Sequence, residues 1–209
     1  MKRAVIFDFD GTVADTFGLA VDIFYQFTKR VEPLPADEIA HLRELSLPEA
    51  AVALGVPLWK IPYLAWRGRR LFAERIHQAA TVPAMAETVE ELQQTHDLYV
   101  VSSNSVGNVR TFLHEHGLSE YFQQIYGNAR LQGKARILRK ICQRGDYEAE
   151  KTVYVGDETR DIEAAHHAGL KSIAVAWGYN NIKALHRHKP EKIVFEPTEI
   201  PSYLATIEE

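Results

Sequence analysis

Five short runs rich in β-branched and other apolar residues recur along the chain. They are RAVIFDF at 3–9, DLYVVSS at 97–103, KTVYVGD at 151–157, KSIAVAW at 171–177 and KIVF at 192–195. A near-continuous apolar run, rather than an alternating one, is the pattern of a strand covered on both faces, as in a parallel sheet. QQIYG at 123–127 is a weaker sixth candidate. Between these runs lie stretches with helical spacing: MAETVEELQQT (85–95), VGNVRTFLHEHG (106–117), KARILRKICQRG (134–145) and RDIEAAHHAGL (160–170). Strand and helix in alternation predict an α/β fold, a doubly wound parallel sheet with helices on both faces.

The interval 15–82 breaks that rhythm. It has no convincing strand and reads as four helical stretches: DTFGLAVDIFYQFTKRV, ADEIAHLREL, SLPEAAVALG and WKIPYLAWRGRRLFAERIHQ, punctuated by five prolines. The simplest organisation is a core domain made of 1–14 and 83–209, with an all-helical cap domain of 15–82 inserted after the first strand. Trp59 and Trp66 read as part of the insert's own core.

In a parallel sheet, functional groups collect beyond the carboxyl ends of the strands. After the first run come Asp8, Asp10, Gly11 and Thr12; after LYVV come Ser102, Ser103 and Asn104; after VYV come Gly156, Asp157, Glu158 and Asp161. Lys134 adds a cation at the predicted start of a helix, where the helix dipole gives it no support. Charge is costly to bury, so acids at the ends of core strands need a reason. These residue types suit phosphoryl transfer. A carboxylate can attack phosphorus, a divalent cation held by carboxylates can neutralise the meeting of two anions, and a second acid can carry the proton. A lysine, hydroxyls and backbone N–H groups can hold the remaining phosphate oxygens.

DFDGTVADT resembles the first motif of the haloacid dehalogenase superfamily, VVSSN the second, Lys134 the third and VGDETRDIEAAHHAGL the fourth, in the family's order and across essentially the whole chain. The tail SIAVAWGYNN, followed by KPEKIVFEPTEI, resembles the phosphoglycolate phosphatase-like branch, as does a helical cap soon after the first motif. The resemblance implies a Rossmann-like core and a Mg²⁺-dependent phosphatase acting on a small phosphate monoester through an aspartyl phosphate. Phosphoglycolate is the best single substrate on that basis. By position, Asp8 matches the nucleophile and Asp10 the general acid/base, whose backbone carbonyl also binds Mg²⁺. Asp157 matches a metal ligand and Asp161 an acid supporting the metal. Ser103 matches the phosphate-holding hydroxyl, with Ser102 in its place if the strand ends one residue earlier. Lys134 steadies nucleophile and phosphate, and Gly11, Thr12 and Asn104 join the phosphate pocket.

The sequence departs from the family pattern at three places. Ala135 follows the lysine where many relatives have proline, Glu44 stands in LRELSLPEA where glycine is common, and Leu47 lies near the place of an arginine used by sugar-phosphate mutases. A phosphomutase with the same phosphoenzyme, or a non-catalytic metal- or phosphate-binding protein on the same fold, are the alternatives. Among the insert's basic residues Arg43, Arg67, Arg69 and Arg70, which read as a solvated face, Arg43 or Arg67 is the candidate to reach the substrate.

Composition excludes other classes. With 24 Lys plus Arg against 28 Asp plus Glu, a net charge of −4 and no basic run, a nucleic-acid-binding surface is not expected. The lone Cys142 cannot form an internal disulfide and reads as a small buried thiol. The histidines, including the adjacent His166 and His167, form no ligand set. No apolar run approaches membrane-spanning length and no signal-peptide pattern opens the chain, so a cytoplasmic location with no membrane partner is expected. Oligomeric state is not legible.

Overall fold

The computed structural model describes residues 3–28, 32–129 and 131–207; residues 29–31 of the first predicted insert helix, and the side chains of Leu47 and Arg69, lie outside that description. The chain runs β1 (Arg3–Phe7), β2 (Ala14–Asp15), α1 (Phe17–Thr28), α2 (Ala36–Leu42), α3 (Leu47–Ala53) and α4 (Ile61–Arg75). It continues through β3 (Ala80–Thr81), α5 (Met85–Leu92), β4 (His96–Val101), α6 (Val106–Glu115), β5 (Phe122–Tyr126) and α7 (Leu131–Gly145). It ends with β6 (Val153–Gly156), α8 (Thr159–Ala168), β7 (Lys171–Val175), α9 (Ile182–Arg187), β8 (Lys192–Val194) and α10 (Glu199–Ile207).

Six strands form one sheet in the order β5-β4-β1-β6-β7-β8, every pairing parallel. Successive residues of β1 point to opposite faces, and both faces are covered. Val5 and Phe7 enter a core built with Met85 and Val89 of α5, Val109 and Phe112 of α6 and Ile200 of α10. Ala4 and Ile6 enter a second core with Leu138 and Ile141 of α7 and Ala164 and Ala165 of α8. This is why the β1 sequence shows no polar alternation. After β1 the chain adds β4 and β5 on one side and then β6, β7 and β8 on the other, so the strand order reverses around β1. The crevice beyond the carboxyl ends of β1, β4 and β6 is the position such a sheet offers to a ligand.

The predicted strand-free interval 15–82 needs a small correction. Ala14 pairs with Thr81 and Asp15 with Ala80 in a two-stranded antiparallel ribbon, which returns the chain at residue 80 to where it left at residue 15. Two residues per strand carry no readable periodicity. Between the ribbon strands the chain is helical, with α1 packed on α4. The reading of Trp59 and Trp66 as insert core is also corrected: they are 76% and 55% exposed, beside exposed Leu58 and Tyr63. Apolar residues at helical spacing mark a helix face but not which face is covered. The predicted 134–145 helix begins three residues earlier, at Leu131, which places Lys134 at its fourth residue. Cys142 is buried with a free thiol.

Candidate active site

The carboxyl ends of β1 and β6, with α7 and α8, bring four of the sequence-predicted residues into one cluster. Asp8 directly follows β1, is 3% exposed, and its N–H donates to Val155 O at 2.8 Å, which continues the β1–β6 pairing one step. Asp157 directly follows β6 and is fully buried. Asp161 is the third residue of α8, where its Oδ2 accepts from Glu158 N at 3.0 Å, so an acid in the first turn closes the helix N-terminus. Lys134 reaches in from α7 and is 1% exposed; its Nζ donates to Asp8 Oδ2 at 2.8 Å and to Asp161 Oδ1 at 2.6 Å.

Asp8, Asp157 and Asp161 each present a carboxylate oxygen within 4.8 Å of the others. Three like charges so close need a cation, and Lys134 supplies only one. Asp8 Oδ1 is buried and has no hydrogen-bond partner among the described residues. A buried carboxylate oxygen left free beside two further hard oxygen donors fits a divalent cation such as Mg²⁺. The backbone turn is shaped for close approach. Gly11 has φ +76°, and a Cβ there would lie 2.4 Å from Asp157 Oδ2. Thr12 is fully buried and its hydroxyl donates to Asp157 Oδ1 at 2.8 Å, so it orients this acid rather than standing open to a ligand.

Asp10 stands apart from the three-acid cluster. Asn104 Nδ2 lies 3.3 Å from each of its carboxylate oxygens. Asn104 is itself fixed, because its Oδ1 accepts from Ser105 N and from Asn108 Nδ2, both at 2.8 Å. Ser102 lies immediately past β4, fully buried, with its hydroxyl accepting from Asn104 N at 2.9 Å; Ser103 is partly exposed. The strand ends at Val101, earlier than the predicted 97–103 run.

Burial dominates the electrostatics. It lifts the Asp8 carboxyl from an ordinary 3.8 to about 7, against the pull of Lys134. It lifts Asp10 to about 6, against the Asn104 hydrogen bond. Asp157 rises well above the carboxylate range through burial, with Glu158, Asp161 and Asp8 adding to the rise. For Asp161 burial is outweighed by Lys134 and Arg160, which hold it down. For Lys134 burial is outweighed by Asp161 and Asp8, which hold its ammonium charged.

Sequence reasoning missed several residues. Glu158 and Arg160 pair with each other at the edge of the site, and Arg160 Nε is buried without a partner among the described residues. Both stand inside VGDETRD; the sequence reading places Glu158 among the strand-end residues but assigns it no role, and it does not single out Arg160. Tyr154 lies under Lys134, its ring 5.7 Å from Nζ and its hydroxyl on Val101 O at 3.2 Å. Of the two arginine candidates for the substrate, Arg43 donates to Gly178 O and Tyr179 O, and Arg67 donates to Tyr63 Oη.

Comparison with known proteins bears on this geometry. The family described as haloacid dehalogenase-like hydrolase matches residues 5–175. A phosphoglycolate phosphatase of Synechococcus elongatus is 30% identical over 95% of this chain and 95% of its own length. A phosphoglycolate phosphatase of Vibrio parahaemolyticus is 26% identical over 97% and 96%. A solved haloacid dehalogenase-like hydrolase from Streptococcus pneumoniae superposes with a TM-score of 0.79, covering 97% of this chain and 98% of that one at 22% identity, a likeness of fold.

Proposed function

The chain belongs to the haloacid dehalogenase-like hydrolases and is a phosphatase, and from that premise we propose that it hydrolyses a small phosphate monoester through an aspartyl phosphate on Asp8. The observation that carries this reading is the state of Asp8. One of its carboxylate oxygens is pinned by Lys134 and the other is buried without a partner among the described residues, at the switch point of the sheet.

In this scheme Asp8 attacks phosphorus, and the bond from phosphorus to the ester oxygen breaks as Asp10 delivers its proton to that oxygen. The alcohol leaves. Asp10, now a carboxylate, takes a proton from water, whose oxygen attacks the same phosphorus. The acyl-phosphate bond breaks, giving inorganic phosphate and restoring Asp8. A carboxyl poised near 6 serves both proton transfers. Lys134 holds Asp8 in line and faces the phosphate charge. Ser102, with the backbone around Gly11, takes the phosphate oxygens in place of the expected Ser103, because β4 ends at Val101. Asn104 orients Asp10.

Asp8, Asp157 and Asp161, with the Asp10 carbonyl, would hold Mg²⁺. Bound there, it would neutralise charge as the carboxylate and the phosphate meet. The segment 15–82 serves as a lid on its two-stranded ribbon, excluding water and setting specificity. Phosphoglycolate is the proposed substrate because the relatives above carry that activity in their names. The enzyme acts in solution in the cytoplasm on a free metabolite; no helix among the described residues is long and apolar enough to cross a membrane.

The test is release of p-nitrophenol from its phosphate ester, with Mg²⁺ and with EDTA, for wild type and Asp8→Asn, followed by a panel of metabolite phosphates. Metal-dependent turnover lost in Asp8→Asn, with phosphoglycolate giving the highest kcat/KM, is the expected result. Turnover that survives Asp8→Asn overturns the phosphoenzyme, and another ester leading the panel overturns the substrate.

A further inference from the structure

The loop after β7, Trp177-Gly178-Tyr179-Asn180-Asn181, takes no part in the scheme above, yet it is bonded to both halves of the molecule. On the core side it holds Asp157: Tyr179 N donates to Asp157 Oδ2 at 2.7 Å and Asn180 N to Asp157 O at 3.3 Å. A Cβ at Gly178 would stand 2.2 Å from Asp157 Cβ, so the loop backbone is laid directly on this acid. On the other side it meets the segment between α2 and α3. Asn181 N donates to Arg43 O at 2.9 Å and Asn181 Nδ2 to Ala40 O at 3.0 Å. Arg43 returns the contact through its guanidinium, which donates to the carbonyls of Gly178 and Tyr179 and lies 5.2 Å over the Phe17 ring. Glu44 pairs with Arg187 of α9 at 2.7 Å, which gives the departure from glycine at that position a structural role.

Asn181 spans both halves through Ala40 O and Ala184 N, but it is the Asn180 side chain that joins the insert to the start of α8. Asn180 is 4% exposed. Its Nδ2 donates to Arg43 O at 3.0 Å and Leu45 O at 3.1 Å, while its Oδ1 accepts from Thr159 N at 2.9 Å, the first N–H of α8. Two donors on one side and an acceptor on the other require a primary amide: a carboxylate cannot donate, and an aliphatic side chain does neither. A buried amide with every group paired holds its neighbours to one arrangement, since releasing either side strands polar groups away from water.

We propose that Asn180 is a positioning residue that couples the seating of loop 43–45 to the placement of Asp157 and the start of α8. A seated lid and a correctly aimed acid loop are then one event. This rests on the phosphatase reading with 15–82 as its lid.

The decisive variant is Asn180→Asp. It keeps an acceptor for Thr159 N but turns lone pairs toward the two carbonyls of the insert. The measurements are kcat and KM for p-nitrophenyl phosphate, the Mg²⁺ concentration for half-maximal rate, and amide hydrogen exchange in peptides covering 40–46 and 157–162. Faster exchange in both peptides, a higher Mg²⁺ half-saturation and a fall of about tenfold to a hundredfold in kcat/KM are expected. Faster exchange at 40–46 alone, with kcat/KM unchanged, makes Asn180 a fastener of the insert only and overturns the coupling. If Asn180→Asp does not fold, Asn180→Ala removes the same bonds to Arg43 O, Leu45 O and Thr159 N without setting a charge against the two carbonyls. The same paired exchange change supports the proposal there, and exchange confined to 40–46 overturns it. A wild type that turns over no phosphate ester would sink the phosphatase reading instead, and the exchange readings separate the two failures.

Discussion

Lys134 and Asp8 form a buried ion pair, Nζ to Oδ2 at 2.8 Å, with side chains only 1% and 4% exposed. The same ammonium reaches Asp161, so one cation answers two of three clustered acids. Removing one partner of such a pair costs more than the pair contributes, because the other charge stays buried.

Lys134→Met is therefore expected to lower stability by about 3 kcal/mol at pH 7.5 and to lower kcat by at least about a hundredfold. The stability loss should shrink at pH 5.5, where Asp8, already lifted to about 7, is mostly protonated and needs no cation. Urea unfolding at the two pH values checks this; an equal loss at both would mean that Asp8 does not sense the ammonium.

The strands on either side of this pair were legible because both faces of the sheet are buried. β1, β6 and β7 read as apolar runs for that reason, whereas β5, at the sheet edge with Gln123 and Gln124 exposed, gave the weak signal. Asp8, Asp157, Asp161 and Lys134 were legible from their order at strand ends and helix starts. What stayed hidden depends on the third dimension. The predicted run 97–103 stops as a strand at Val101, which leaves Ser102 buried and Ser103 partly exposed. The outward face of α4 carries Trp66, a large aromatic that the sequence reading placed in the insert's core. Asn180 has no chemical signal in WGYNN until the chain returns Arg43 and Leu45 to it across more than a hundred residues.

The acid cluster fixes the sign of a pH effect. Asp8 and Asp10 are raised from 3.8 to about 7 and about 6, so each favours the folded state fully below pH 3.8 and loses that contribution as pH rises through those values. Asp161, held low, changes below this window, and Lys134, held high, changes above it. Without divalent cation, the melting temperature should therefore fall between pH 5 and pH 8. Saturating Mg²⁺ should raise it more at pH 8 than at pH 5, because protons compete for the same oxygens. A Mg²⁺ increment that is flat across this range would remove Asp8 from the metal site.

Gly11 is expected to tolerate no side chain. Its φ is +76°, and a Cβ would lie 2.4 Å from Asp157 Oδ2 and 2.6 Å from the Tyr179 ring. Gly11→Ala should cost about 2 kcal/mol and raise the Mg²⁺ concentration for half-maximal rate by displacing Asp157. Gly18, in the first turn of α1, has nothing within 4 Å of a built Cβ. Gly18→Ala should be neutral or stabilising by about 0.5 kcal/mol. Thermal melts of the two, with Mg²⁺ titrations of the rate, separate a site effect from a general intolerance of alanine.

The two adjacent serines give the sharpest division. Ser102 is fully buried at the end of β4, and its hydroxyl accepts from Asn104 N at 2.9 Å, which fixes the turn carrying the asparagine that faces Asp10. That hydroxyl has its own proton to donate, and a phosphate oxygen in the crevice is the acceptor proposed for it. Ser103 is partly exposed, one step past the strand. Ser102→Ala is expected to lower kcat/KM about tenfold to a hundredfold for every phosphate ester tried, because the phosphate is common to all of them, and to weaken competitive inhibition by inorganic phosphate in parallel. Ser103→Ala should change either quantity by less than about threefold. If Ser103→Ala is the damaging variant and inorganic phosphate binding follows it, the phosphate lies one residue further along this turn. Asn104 would then meet the phosphate directly instead of acting through Asp10.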